Sequence, residues 1–135
     1  MPDYLLDTGI LVRHLRNMPG YPKLIDQLTD EADVFISAIT RIEIIRGMRD
    51  REREATFLLL NSFETIFLTS EVADLAGNLI REGKGRGETI GEADAVIAAS
   101  ALHNNLALVT TNAKHFLMEE LIVLQADEEG NLTSR

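Results

Sequence analysis

"GEADAVIAASALHN", residues 91–104, is the stretch on which the reading of the fold turns. Its first turn carries Glu92 and Asp94, and from Ala95 to Leu102 only Ser100 is polar. Apolar residues on all sides of a helical wheel predict a helix buried all round, not one lying on a wet surface. Directly after it comes "LALVTT" (106–111), a continuous apolar run of strand length.

Further runs of the same kind lie at "DYLLDT" (3–8), "DVFISA" (33–38) and "TIFLT" (65–69), with "LIVLQ" (121–125) placed to close the sheet. They are continuous where a half-exposed strand would alternate, as parallel strands covered on both faces require. Helical patterns fill the intervals. Over 71–82, Val72, Leu75, Ala76, Leu79 and Ile80 fall on one helical face, with Ser70 placed as the cap. Residues 39–49 and 53–63 read as two helices around a highly charged join. "NMPGYP" (17–22) reads as a loop before a short helix at 22–29. Strands alternating with helices predict an α/β fold on a mainly parallel sheet. One domain is expected over residues 1–125, and the tail "ADEEGNLTSR" (126–135) is expected to be flexible because it has little to pack.

The same alternation decides how "YLLDTGI" (4–10) is to be read. Asp-Thr-Gly after an apolar run is also the signature of an aspartic protease, but that enzyme is all-β, and the helix near residue 95 contradicts it. Asp7 is therefore an acid at the end of a parallel strand.

Composition narrows the function. A chain of 135 residues, 45% hydrophobic and 26% charged, suits one soluble globular domain. There is no cysteine, which removes disulfides and thiolate chemistry. No run approaches the roughly 20 apolar residues of a membrane span, and no signal peptide is recognised, so a cytoplasmic protein is expected. The formal net charge of -9 excludes binding of nucleic acid by bulk attraction. A polyanionic partner would need cations or a local basic patch. Two patches are present: Arg41, Arg46, Arg49, Arg51 and Arg53, and then Arg81, Lys84 and Arg86 among the glycines of "REGKGRGE". The glycines place the second patch on a mobile loop. Both patches also read as solvated faces, the arginine run with i,i+4 acidic partners.

In a parallel α/β sheet, ligands bind beyond the carboxyl ends of the strands. Asp7 ends the first predicted strand, Glu43 lies in the helix after the second, Asp94 opens the apolar helix, and Asn112 follows the fourth strand. Taken singly, Asp7 is also a helix N-cap, Asp94 a first-turn carboxylate favoured by the helix dipole, Glu43 an exposed helical residue and Asn112 a turn residue. Together, three acids at one edge would repel one another and lose hydration. A divalent cation relieves both costs, and oxygen donors without His or Cys select Mg²⁺ or Mn²⁺. His14, His103 and His115 lack ligand spacing and read as structural or surface residues. No G-x-S-x-G turn, P-loop spacing or second Asp two residues after Asp7 supports other hydrolase classes.

Four elements in order, "YLLDTGILV", "ISAITRIEIIRG", "GEADAVIAASAL" and "LALVTTNAKHF", make the chain resemble the PIN-domain ribonucleases, particularly the VapC-like toxins. The resemblance spans residues 4 to about 124. It implies a three-layer α/β/α sandwich and a metal site on Asp7, Glu43 and Asp94, with Asn112 where many members carry a fourth acid. It implies that Thr8 and Thr110 orient ligands or water, and that the activity is Mg²⁺-dependent endoribonuclease cleavage of RNA. Arg46, Lys84 and Arg86 would guide the RNA. A homodimer and a small VapB-like antitoxin are the implied partners; the apolar segment 53–63 carries more hydrophobic surface than one short helix needs, which suits those contacts and core packing equally. Two other readings remain at this point: a non-catalytic RNA- or protein-binding module of the same fold, and a small-molecule phosphohydrolase.

Overall fold

A computed structural model describes residues 2–135. Six strands form one sheet in the order β3-β2-β1-β4-β5-β6: β1 (Tyr4–Leu6), β2 (Val34–Ser37), β3 (Glu64–Ile66), β4 (Ala107–Thr110), β5 (Val123–Ala126) and β6 (Leu132–Ser134). All neighbours are parallel except β5 and β6. The helices are α1 (Thr8–Leu15), α2 (Tyr21–Glu31), α3 (Ala38–Arg46), α4 (Arg53–Leu60), α5 (Ser70–Gly85) and α6 (Glu92–His103).

The sheet divides the core as the continuous apolar strands require. Tyr4 and Leu6 pack with Ile10 and Leu11 of α1 and with Leu24, Ile25 and Leu28 of α2. Leu5, between them in sequence, points the other way and packs with Ile97, Ala98 and Ala101 of α6. Beyond α6 lies α5, whose Val72 and Ala76 meet Ala95 and Ala99. Helix α6 is thus held between the sheet and another helix, which explains its lack of a polar face. Its buried Ser100 is satisfied by donating to the Val96 carbonyl at 2.7 Å. None of the helices among the described residues is long and apolar enough to cross a membrane.

Three expectations are corrected. The cap of α5 is Thr69, whose hydroxyl accepts from the Val72 N–H at 3.2 Å, and Ser70 is already helical. The glycine-flanked basic segment is not a mobile loop up to Gly85, since α5 continues through it and carries Lys84. Gly83 is there for packing: a Cβ at that position would lie 2.7 Å from Ile90 Cδ1. The helix then stops in a Schellman motif. Glu88 N–H donates to the Gly83 carbonyl and Gly87 N–H to that of Lys84, with Gly87 at φ +77°.

The third correction concerns the tail. Residues 126–135 form a hairpin and not a flexible end, because β6 pairs antiparallel with β5. Asp127 Oδ1 closes the turn by accepting from the Glu129 and Asn131 N–H groups at 2.9 Å each. Arg135 donates to the Met118 and Leu121 carbonyls at 2.7 and 3.1 Å, and the Tyr21 hydroxyl donates to the Asp127 carbonyl at 2.7 Å. What the tail lacks in apolar residues it makes up in hydrogen bonds to the domain.

Candidate active site

After β1 the chain builds outward through β2 and β3, then returns to place β4 on the other side of β1. The order therefore reverses between β1 and β4, and a crevice at the carboxyl ends of these two strands follows from the topology. Asp7 stands there. Its N–H continues the ladder by donating to the Val109 carbonyl at 2.9 Å, and its side chain caps α1 by accepting from the Thr8 N–H at 2.8 Å. From the other strand, Thr110 Oγ1 donates to Asp7 Oδ2 at 2.7 Å. The cap and site readings of Asp7 are thus compatible.

A second group of oxygens adjoins. Thr8 Oγ1 donates to Glu43 Oε1 at 2.7 Å and lies 3.0 Å from Thr40 Oγ1. Glu43 comes from α3, whose start is fixed by Ser37 accepting from the Ile39 N–H at 3.2 Å. Asp94 comes from the first turn of α6, its Oδ2 lying 3.4 Å from His115 Nδ1. Asp7 is only 8% exposed, while the side chains of Glu43 and Asp94 are 22% and 33% exposed. The site is a dry carboxylate with two wetter ones in front.

The electrostatics follow. Burial pushes the Asp7 carboxyl above the ordinary carboxylate range; the bonds from Thr110 and Thr8 pull it back, and the charges of Asp94 and Glu43 raise it again. Asp94 is also raised, chiefly by burial, with His115 opposing and Glu43 adding. The donor set of carboxylates and hydroxyls suits a hard divalent cation. As the side chains stand, no three His, Cys, Asp or Glu residues among the described residues are grouped closely enough to hold an ion. Glu43 is turned toward Thr8, to which it is hydrogen-bonded.

Thr8 and Thr110 thus contact two of the acids. Asn112 is more peripheral than expected. Its side chain is exposed and, among the described residues, bonds to none of the acids, while its N–H donates to Thr110 Oγ1 at 3.0 Å. Arg46 is exposed, 4.0 Å from Glu43 Oε2. Arg86 pairs with Glu88 at 3.2 Å, and Lys84 is exposed on α5. Arg41 is not available to a ligand: it donates to the Leu60 carbonyl and Asn61 Oδ1 at the end of α4. Glu92 is exposed and takes no part.

Sequence reasoning missed three contributors. His115, read as structural or surface, is the neighbour of Asp94. Thr40 is fully buried against Thr8. Gln125 holds the segment after β4 by accepting from the Ala113 N–H at 2.7 Å and donating to the Thr111 carbonyl at 2.8 Å. His115 lies three residues beyond Asn112, a proximity that could have suggested it; Thr40 and Gln125 left no comparable signal.

Comparison with known proteins identifies the family. The PIN domain family model matches residues 4–119. The ribonuclease VapC10 of Mycobacterium tuberculosis is 34% identical over 116 residues, covering 86% of this chain and 87% of that protein. The ribonuclease VapC1 of Methanocaldococcus jannaschii is 32% identical over 113 residues, covering 83% and 77%. Among solved structures, VapBC2 from Rickettsia felis bound to a DNA fragment from its promoter superposes with a TM-score of 0.82 at 28% identity, covering 92% of this chain and 98% of that one. A buried Asp at the β1–β4 switch point, two further acids beside it and a match over nearly the whole domain lead to one conclusion: the chain belongs to the PIN-domain family and is VapC-like.

Proposed function

We propose that this protein is an endoribonuclease that hydrolyses RNA phosphodiester bonds with Mg²⁺ or Mn²⁺, and that it is the toxin of a type II toxin–antitoxin pair. The observation that carries the reading is the buried Asp7 at the sheet's switch point, which accepts from Thr110 at 2.7 Å, with neighbouring Thr8 donating to Glu43 at 2.7 Å. A carboxylate buried in a crevice, its pKa raised by that burial, points to function more than to stability. The relatives named as VapC ribonucleases support the RNA substrate.

Asp7, Asp94 and Glu43 would hold the cation, which supplies positive charge for activating water and stabilising the phosphate in the transition state. Thr110 fixes the Asp7 carboxylate, Thr8 fixes Glu43, and Asn112 holds Thr110 through its backbone. Arg46, Lys84 and Arg86 would offset the net negative charge along the RNA path. A homodimer in the cytoplasm and a VapB-like antitoxin complete the proposal. The exposed Leu58 and Phe67 offer apolar surface for such contacts.

The spread of the three acids and the exposed Asn112 favour a second reading, a PIN-like module that binds RNA or protein without cutting. Incubating purified protein with RNA separates the two. The nuclease cleaves with Mg²⁺ or Mn²⁺, stops in excess chelator and is inactive as Asp7→Asn. Binding without metal-dependent cleavage selects the second reading.

A further inference from the structure

Thr40 and Glu43 stand at i and i+3 on α3, so their side chains share one face of that helix, the face turned to the start of α1. Between them lies the hydroxyl of Thr8, the first residue of α1. A threonine hydroxyl carries a single proton, and that of Thr8 goes to Glu43 Oε1 at 2.7 Å. The 3.0 Å contact between the Thr8 and Thr40 oxygens therefore has its proton on Thr40, and Thr8 accepts it. The three side chains form a directed chain in which Thr40 donates to Thr8 and Thr8 donates to Glu43. It runs outward from the dry interior, since Thr40 is fully buried while the Glu43 side chain is 22% exposed.

A threonine inside a helix commonly donates to a carbonyl one turn back on its own helix. Thr29 of α2 does so, reaching the Ile25 carbonyl at 3.0 Å. Thr40 does not: among the described residues its hydroxyl meets Thr8 alone. A buried hydroxyl is costly to leave unpaired, so this contact is held firmly, and it leaves Glu43 as the outlet for the Thr8 proton.

We propose that Thr40 is a positioning residue for Glu43. It turns the Thr8 hydroxyl so that the proton is presented to Glu43 Oε1, and the carboxylate is thereby fixed with Oε2 left to the cation. Among the described residues Oε2 takes no hydrogen bond, and Arg46 Nη2 stands 4.0 Å away. Each bond of such a chain polarises the next and strengthens it. The inference rests on the cation site proposed above and adds a residue that touches neither cation nor RNA. A Thr40 that only filled space would need its volume, which valine supplies, and not its hydroxyl.

The test is Mn²⁺ affinity by calorimetry for the parent, Thr40→Val and Thr40→Ser, with circular dichroism as the check on folding. Thr40→Val is expected to weaken Mn²⁺ binding about tenfold, and Thr40→Ser to restore it to near that of the parent. Should the valine variant not fold, Thr40→Ala against Thr40→Ser isolates the same hydroxyl. Lower stability with unchanged Mn²⁺ affinity overturns the proposal, as does a serine variant that binds as weakly as the valine one. A double-mutant cycle with Glu43→Ala, read from denaturant melts in metal-free buffer, needs neither cation nor RNA. Removing Glu43 is expected to change the effect of Thr40→Val on the unfolding constant by about threefold or more, and additive effects overturn the link. Coupling in the cycle without Mn²⁺ binding by the parent keeps the link from Thr40 to Glu43 and removes the cation reading. Mn²⁺ binding by the parent, with an additive cycle and unchanged affinity in the variants, does the reverse.

Discussion

Thr110 donates its hydroxyl proton to Asp7 Oδ2 at 2.7 Å, across a separation of 103 residues. The Thr110 oxygen in turn accepts from the Asn112 N–H at 3.0 Å, so its proton is directed at the carboxylate. One hydroxyl therefore links the ends of two central strands to the most buried acid of the site. Thr110→Val keeps the shape and takes this partner from both Asp7 and the Asn112 N–H, costing about 1–3 kcal/mol. Denaturant melts should show that loss, RNA cleavage should fall with it, and Thr110→Ser should recover most of both. A Val variant with unchanged stability and activity would remove Thr110 from the site.

Asp7 also links function to stability. Its folded-state pKa is raised, so ionisation near neutrality opposes folding, and the opposition fades as pH falls through the folded value and the carboxyl takes up its proton. Asparagine keeps the cap on α1 and carries no charge. In the absence of divalent cations, Asp7→Asn relieves the buried charge but gives up the bond from Thr110, so its thermal midpoint relative to the parent should be most favourable at neutral pH and should decline toward acid. Midpoints measured across pH check the sign, and a difference that grows in the variant's favour toward acid contradicts the assignment.

The C-terminal hairpin is structural. Gly20 lies at φ +88°, and a Cβ there would fall 1.8 Å from the Glu129 carbonyl oxygen. Gly20→Ala should therefore cost more than about 1 kcal/mol. Removing residues 127–135 should also lower stability, since it exposes an edge of β5 and takes the acceptor from Tyr21. Unchanged melting of the truncated protein would restore the flexible-tail picture.

Two arginines of one helix should separate cleanly. Arg41 anchors the end of α4 and Arg46 extends into solvent beside Glu43. Arg41→Ala is expected to lower stability and barely change RNA affinity after correction for folding. Arg46→Ala is expected to leave stability alone, weaken RNA binding and reduce its salt dependence by about one charge. The reverse pattern would refute the proposed RNA path.

The legible part of the molecule was the part written in apolar periodicity. Parallel strands covered on both faces and the all-apolar α6 follow from local composition, and the switch between β1 and β4 then sets Asp7 against Thr110, with Glu43 carried on α3 and Asp94 on α6. The hairpin of residues 126–135 was not legible because hydrogen bonds hold it, and these leave no hydrophobic pattern. Gly83 looked like a loop residue because close packing against Ile90 and loop flexibility ask for the same amino acid. His115 was overlooked because its partnership with Asp94 depends on how the segment after β4 folds back, and Gln125, far along the chain, holds that segment.

The proposed site for a divalent cation is formed by Asp7, Glu43 and Asp94. Calorimetric titration of Mn²⁺ into the purified protein, repeated with Asp7→Asn and Asp94→Asn, tests it without reference to any RNA. Saturable binding in the parent, lost in both variants while they remain folded, is the expected result. Equal Mn²⁺ binding by parent and variants, or none by the parent, would contradict it.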